Sequence, residues 1–403
     1  MSTIRKTQCC IAGGGPAGMM LGLLLARAGI EVVVLEKHAD FLRDFRGDTV
    51  HPSTLTVMDE LGLLDRFLRL PHQRMERAEG LFGTERVRVA DFARLPVKCP
   101  YIAFMPQWNF LDFLAGEARR LPNFTLLMQA EAHALRREGD RIAGVVARTP
   151  QGELAIDAVL TVGADGRGSA IRTAAGLRPR ALGAAMDVLW FRVARDPSDA
   201  DNALLRVRDG HVLVTIDRGD YWQCAYVIPK GGADAVRARG LAALHDDVAA
   251  VDPALRAALA EVRSWDDVKL LTVTVDRLDR WHLPGLLFIG DAAHAMSPIG
   301  GVGINLAVQD AVAAHNLLAP ALRRGDVAED VLAAVQRRRR LPTALTQRVQ
   351  MLAQDALIRP ALQGRSVRHA PLALRVVSHS RLLQGLMARL IGTGIRPEHV
   401  AAP

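Results

Sequence analysis

The stretch from Cys9 to Glu36, CCIAGGGPAGMMLGLLLARAGIEVVVLE, restricts the possible folds more than any other part of the chain. An apolar run, Cys9 to Ala12, suits a buried strand. It enters Gly13-Gly14-Gly15-Pro16-Ala17-Gly18, a G-x-G-x-x-G, and a helical stretch from Met19 to Ala28 follows without a break. Gly29 stops that helix, and Val32 to Leu35 forms a second apolar strand ending in Glu36, with Lys37 next to it. Strand, glycine turn, helix, strand and terminal acid in this order form a βαβ unit with a dinucleotide fingerprint. Gly13 permits the tight turn, Gly15 lets backbone approach a pyrophosphate, and Gly18 allows close helix–strand packing. The helix that Pro16 and Ala17 open presents unpaired N–H groups and a favourable dipole to phosphate. Glu36 is placed to accept hydrogen bonds from a ribose. Which dinucleotide binds is left open.

The chain has 403 residues, half of them hydrophobic, enough for about two domains. Cys9, Cys10, Cys99 and Cys224 form no C-x-x-C, and they read as small buried thiols in a reducing compartment. The histidines show no metal-ligand spacing, so no metal is expected. The first apolar run is interrupted by glycines and is not a signal-peptide core. No uninterrupted apolar stretch is long enough to span a bilayer. These features suggest a cytoplasmic protein, monomeric or homodimeric. The net charge of +8 comes largely from dispersed arginines, and only Arg337 to Arg340 form a run. That run reads as a solvated helix end, and no nucleic-acid motif accompanies it.

Beyond Glu36, residues 41–50 form a polar connection in which Arg43 or Arg46 could lie over a pyrophosphate. Pro52 to Leu70 reads as one helix capped by Ser53 or Thr54. Residues 78–98 look like an exposed strand pair. Pro106 to Arg120 reads as a helix and Phe124 to Met128 as a strand. Ala134 to Arg148 reads as a hairpin turning at Glu138-Gly139-Asp140, followed by a strand from Glu153 to Thr161. Strands are expected at Val188–Val193, Ala203–Val207, His211–Asp217 and Tyr221–Ile228, then a helical stretch from Gly231 to Val262. Such a run of strands inside a dinucleotide fold implies an inserted antiparallel sheet. The last part, Ala328 to Ile395, reads as helices divided by Pro342, Pro360 and Pro371.

Two further stretches repeat the physics of the first turn. Val162-Gly163-Ala164-Asp165-Gly166 carries an apolar strand into an acid and a glycine, and Ser169 then opens a helix. Leu286 to Ile289 is an apolar strand ending in Gly290-Asp291-Ala292-Ala293-His294. The loop Pro298-Ile299-Gly300-Gly301-Val302-Gly303-Ile304-Asn305 then feeds a helix from Leu306 to Leu318. A glycine-rich loop entering a helix N-terminus stabilises negative charge.

The three motifs together resemble the flavoprotein aromatic monooxygenases, single-component relatives of para-hydroxybenzoate hydroxylase, over most of the chain. The resemblance implies an α/β fold: a Rossmann-type FAD-binding domain with an inserted antiparallel-sheet substrate domain and a helical C-terminus. It places the FAD domain at 1–77, 98–181 and 272–345, the substrate domain at 78–97 and 182–271, and the helical segment at 346–403. It also implies FAD as cofactor, NADPH or NADH as co-substrate, O₂, and a small aromatic substrate hydroxylated through a flavin C4a-hydroperoxide. By position, Gly13, Gly15, Pro16, Ala17 and Gly18 match the pyrophosphate turn and Glu36 the adenosine ribose, with Lys37 a further cofactor-binding position. Arg46 matches a pyrophosphate arginine, Gln107 a flavin contact and Ala132 a residue near adenine. Asp165 and Gly166 match a motif shared by FAD and NAD(P)H, and Gly290 and Asp291 the ribityl site. Pro298, Gly300, Gly301, Gly303, Ile304 and Asn305 match the loop beside the isoalloxazine.

Rival readings are a flavin-dependent halogenase, a reductase of the same fold, and a flavin-binding protein without turnover. A halogenase should carry W-x-W-x-I-P, but Cys224 and Tyr226 occupy its tryptophan positions before Ile228-Pro229. No acid or base stands out. His51, Arg192, His211 and Tyr221 are the polar candidates for a catalytic role, and Trp190, Phe191 and Trp222 are candidates to line a ring pocket.

Overall fold

The computed structural model describes residues 4–42, 49–196, 205–363 and 369–401. The chain opens with β1 (Ile4–Ala12), α1 (Pro16–Arg27) and β2 (Val32–Glu36). Next come α2 (Pro52–Glu60), β3 (Arg77–Phe82), β4 (Glu85–Asp91), α3 (Gln107–Ala118) and β5 (Phe124–Met128). A meander of β6 (Glu131–Glu138), β7 (Arg141–Thr149) and β8 (Gly152–Gly163) leads into the short helix α4 (Ala170–Ala174). Strands β9 (Met186–Ala194), β10 (Leu205–Arg208), β11 (His211–Asp217) and β12 (Tyr221–Pro229) precede α5 (Leu241–Val251). Then follow β13 (Lys269–Leu271), β14 (Leu286–Phe288), α6 (Gly303–Arg323), α7 (Glu329–Ala353), α8 (Leu372–His379) and α9 (Arg381–Gly392).

The first sheet runs β14-β8-β1-β2-β5, all parallel, with the antiparallel pair β7 and β6 joined to the first half of β8. Alternation along β1 sends Cys9 and Ile11 to the face covered by α1 and α6, and Cys10 and Ala12 to the opposite face, with Val33, Leu35 and Trp281. The adjacent cysteines therefore sit in different core clusters as buried free thiols. Each fully buried Val or Leu of these strands contributes about 1.5–3 kcal/mol.

The second sheet has seven strands in the order β13-β9-β12-β11-β10-β3-β4. All its pairs are antiparallel except β10 with β3. One of its faces packs on α5, through Leu189, Phe191 and Trp222. The other carries Val188, Val212, Ala225 and Val227, with Trp190 and Ile299 packed against them. Ile299 belongs to the third glycine-rich loop, so this second face looks toward it.

Several helices differ from the sequence expectation. The Pro52–Leu70 helix stops at Glu60, and Gly62 adopts φ +67° after it. Its N-cap is His51 with Pro52 at the first position; neither Ser53 nor Thr54 caps it. The Gly231–Val262 helix is broken by Gly240 at φ +87° and by Asp252-Pro253. The Leu306–Leu318 helix starts earlier and ends later, as α6. Pro342 divides nothing: α7 runs through it at the cost of one amide donor, while the Thr346 hydroxyl bonds the Pro342 carbonyl at 2.8 Å. The Arg337–Arg340 run is only half solvated, because Arg339 is completely buried.

Candidate cofactor site

Register alone assembles the site. Leu35 pairs with Ala12, Ala12 with Gly163, and Gly163 with Phe288. The three motif loops and Glu36 thus leave the same edge of the sheet, at the carboxyl ends of parallel strands, where ligands of open α/β sheets bind.

The first loop is shaped by backbone contact. Gly13 has φ +109°, and a Cβ there would lie 2.3 Å from the Ala164 carbonyl oxygen of the second loop. A Cβ on Gly18 would lie 1.9 Å from the Gly13 carbonyl oxygen. A Cβ on Gly15, Gly166 or Gly303 would meet nothing within 4 Å beyond its own neighbouring backbone, so one glycine of each motif has open space beside it. The Glu36 carboxylate accepts from the Gly14 and His38 amides, each at 3.1 Å.

In the second loop, the Asp165 carboxylate accepts from the Ser169 hydroxyl at 2.5 Å and the Ile171 amide at 3.1 Å. Burial raises its pKa despite those bonds. Asp165 thus shapes its own turn. The side chains that join this loop to the third motif are Arg167 and Arg172, which sequence reasoning missed. Arg167 Nε donates to Asp291 Oδ2 at 3.1 Å, with both side chains about one-third exposed. The buried Arg172 donates to the Ala292 carbonyl at 2.8 Å and to the Arg167 carbonyl. Their only signal was position just after Asp-Gly, where an arginine in a short helix reads as a surface residue.

The third loop is held by side chains from distant segments. Gly300 and Gly301 have φ +79° and +63°. The Gly301 carbonyl accepts from Thr49 Oγ1 at 2.6 Å and lies 3.0 Å from His51 Nε2. In a trans peptide the next N–H points opposite the carbonyl, so these contacts aim the Val302 amide away from α2. Gln350 donates to the Ser297 and Ile299 carbonyls at 2.9 and 2.8 Å. Asn305 Oδ1 accepts from the Ser53 and Thr54 hydroxyls. The first N–H groups of α6 have no intrahelical partner and are available to a ligand.

Behind this loop lies a chain of buried charges. Asp310 accepts from the Gly290 amide at 3.0 Å, contacts His294 Nε2 at 2.6 Å and accepts from Arg339 Nε at 2.9 Å. Burial opposes ionisation of Asp310, but the His294 and Arg339 interactions outweigh it and hold the carboxyl below its ordinary range. Arg339 also reaches Glu398, which accepts from Arg338.

The remaining candidates separate. Gln107 opens α3, and Lys37 is exposed beside Glu36. Ala132 is packed in the core with Val33 and Leu35. Arg46 and Arg43 lie outside the described residues. Of the four acid–base candidates, His51 is fully buried, with Nδ1 2.8 Å from the Ile391 carbonyl; burial pulls its pKa down to about 4 although the two carbonyl contacts favour protonation. His211 faces away from the loops, against the Tyr226 hydroxyl at 2.6 Å. Arg192 and Tyr221 have the strand parity of the loop-facing side, and Arg192 is exposed. Phe191 and Trp222 belong to the far face; of the three ring-pocket candidates Trp190 lies on the loop side, in the same cluster as Phe82. Among the described residues no cluster could hold a metal, and no helix is long and apolar enough to cross a membrane.

Comparison with known proteins agrees with this geometry. A family model described as "FAD binding domain" matches residues 6–349. The 6-methylpretetramide 4-monooxygenase of Streptomyces rimosus is 34% identical over 389 residues, spanning 95% of this chain and 92% of that protein. The 12-dehydrotetracycline 5-monooxygenase/anhydrotetracycline 6-monooxygenase of Streptomyces rimosus is 29% identical, over 94% of this chain and 76% of its own length. The solved p-nitrophenol 4-monooxygenase PnpA from Pseudomonas putida shares the fold, with a TM-score of 0.77 at 21% identity, covering 97% of each chain.

Proposed function

The chain belongs to the FAD-dependent aromatic monooxygenases, and from that premise we propose that it hydroxylates a fused-ring phenol of the tetracycline-precursor type, with NADH or NADPH as reductant. The observation that carries the substrate class is the 34% identity, over nearly both whole chains, to a 6-methylpretetramide 4-monooxygenase. The loop-facing side of the second sheet is apolar: Val188, Val212, Ala225 and Val227 are buried there with Ile358, Ala361 and Ala370, and the partly buried Trp190 and Ile299 at the margin of this cluster would wall an apolar ring compartment.

The residues present fit FAD. The open space beside Gly15 would accommodate a pyrophosphate at the start of α1, and Glu36, at the end of β2, would meet the adenosine ribose. Asp291 would take a ribityl hydroxyl, with Arg167 as its present partner. Gln107 would lie at the ring, and the amides at the start of α6 would face the ring edge where charge accumulates on reduction. Bound there, the flavin supplies electron transfer from the nicotinamide and activation of O₂, so that one oxygen atom enters the substrate. The protein's own contribution is positional. Thr49 and His51 fix the Gly301 carbonyl, Gln350 fixes Ser297 and Ile299, and the apolar sheet above excludes water from the reacting ring. The second sheet, contributed by residues 77–91 and 186–271, serves as the substrate domain in this reading.

The test is NADH and NADPH oxidation by the purified protein with fused-ring phenols under ¹⁸O₂. A product carrying one labelled oxygen, with reductant oxidation accelerated by the phenol, is expected. Flavin reduction without oxygen incorporation would favour a reductase. Asp291→Ala should purify largely without FAD; a fully loaded yellow variant would remove Asp291 from the site.

A further inference from the structure

The C-terminal helices carry a charge imbalance that goes beyond the pairs of Arg338 and Arg339 with Glu398 and Asp310. Between Asp330 and Glu398 the sequence has twelve arginines and a single acid, Asp355, so this stretch exceeds by itself the net charge of +8 of the whole chain. The same stretch contains no Phe, Tyr or Trp. Its outer faces are apolar: Leu372 and Val376 on α8 and Leu382 and Leu386 on α9 are exposed, Leu372 at 74% and Leu382 at 75%. Leu341 and Leu352 continue such a stripe on α7. Both α8 and α9 pack on the edge strand β4. The acids behind them are engaged, Glu85 by Arg375 and His369, and Asp91 by Arg94. Arg381 and Arg389 stand exposed beside the leucines, with no ion pair among the described residues.

We propose that α8 and α9 form a docking face for an anionic lipid surface, on which the enzyme rests peripherally. Leucines flanked by arginines on short amphipathic helices bury their apolar side at the headgroup boundary while guanidinium groups meet lipid phosphate. A second copy of the chain is disfavoured as occupant. A two-fold contact would set this face against itself and oppose arginine to arginine with no acid to answer it. A protein partner is the weaker reading, because protein interfaces concentrate aromatic anchors and this stretch has none. The placement also has a use. Leu374 of α8, Met351 of α7 and Ile299 of the third loop pack against one cluster beneath the second sheet. The docking face is therefore the outer shell of the compartment proposed for an apolar ring substrate.

The FAD-loaded full chain would be floated with vesicles of phosphatidylcholine alone and of phosphatidylcholine mixed with phosphatidylglycerol, at low and high salt. Binding to the mixed vesicles, at least tenfold weaker to neutral ones and weakened by salt, is the expected result. Arg381→Gln with Arg389→Gln should lower it on the order of twentyfold, from roughly fivefold per arginine. Leu382→Ser with Leu386→Ser should abolish flotation while the flavin spectrum and melting temperature stay those of the parent. The proposal is overturned by no binding to the mixed vesicles. It is also overturned by equal binding of the leucine variant or of soluble polyglutamate, which would mean charge alone. A dimer seen by sedimentation and lost in the leucine variant would assign the face to a second copy instead.

Discussion

The two ends of the cofactor site are built in opposite ways. The glycine turn between β1 and α1 is set by contact between main chains: Gly13 against Ala164 and Gly18 against Gly13. The loop from Pro298 to Asn305 is set by side chains. Thr49, His51, Ser53, Thr54 and Gln350 reach it from remote segments, and Asp310, His294 and Arg339 lie buried behind it. A turn shaped by its own backbone tolerates change everywhere but at its glycines. A loop shaped from outside is sensitive at positions far away in sequence.

This contrast yields a graded series. Arg339→Met should cost most, about 3–5 kcal/mol of unfolding free energy, because it removes the buried guanidinium that joins Asp310 to Glu398. A loss below about 1 kcal/mol in urea denaturation would show the charge chain to be idle. Gly13→Ala should cost about 1–3 kcal/mol from overpacking and backbone strain, and ADP binding measured by calorimetry should fall with it. Normal ADP affinity there would contradict the contact with Ala164. His51→Leu should cost about 1–3 kcal/mol, since it removes the single imidazole N–H that serves one of the two carbonyls flanking the ring, Ile391 or Gly301. It should leave ADP binding intact while shifting the flavin absorption band and reduction potential, which separates the two ends of the site. The smallest effect is Ser53→Ala, about 0.5–1.5 kcal/mol, read as a melting shift.

The His51 variant also has a pH signature. The unfolded imidazole takes a proton near its ordinary value of 6.5, and the buried one only near 4. Protons therefore favour the unfolded chain in that interval. The His51 contribution is complete above 6.5 and is lost as pH falls toward 4. In His51→Leu this part of the acid dependence should vanish; an unchanged profile would mean that the ring is already charged in the folded protein.

The same contrast explains what could be read from the sequence. The βαβ unit was legible because its determinants are local: glycine spacing, an apolar helix and a terminal acid within one short stretch. The Asp165 and Asp291 motifs were visible for the same reason, and register then brought them together. Arg167, Arg172 and the partners of Gly301 were not visible, because their roles depend on contacts as distant as His51 with Ile391. Ser53 and Thr54 looked like caps; their hydroxyls serve Asn305 instead, and Pro52 with His51 starts the helix. His211 was in the right strand but on the wrong face, a difference of one residue in a two-residue period. Pro342 reads as a break because proline usually is one, but the buried packing of α7 outweighs the lost amide bond.

The ties from His51 to Ile391 and from Arg339 to Glu398 impose an order on synthesis. Chains emerge from the ribosome N-terminal end first. The glycine turn of the adenosine half has its backbone contacts once β8 and Ala164 are made. The ring-side loop lacks its supports until residues 391–398 have left the exit tunnel. Until that point the emerging chain carries the glycine turn of the nucleotide end without the props of the loop that would seat the ring.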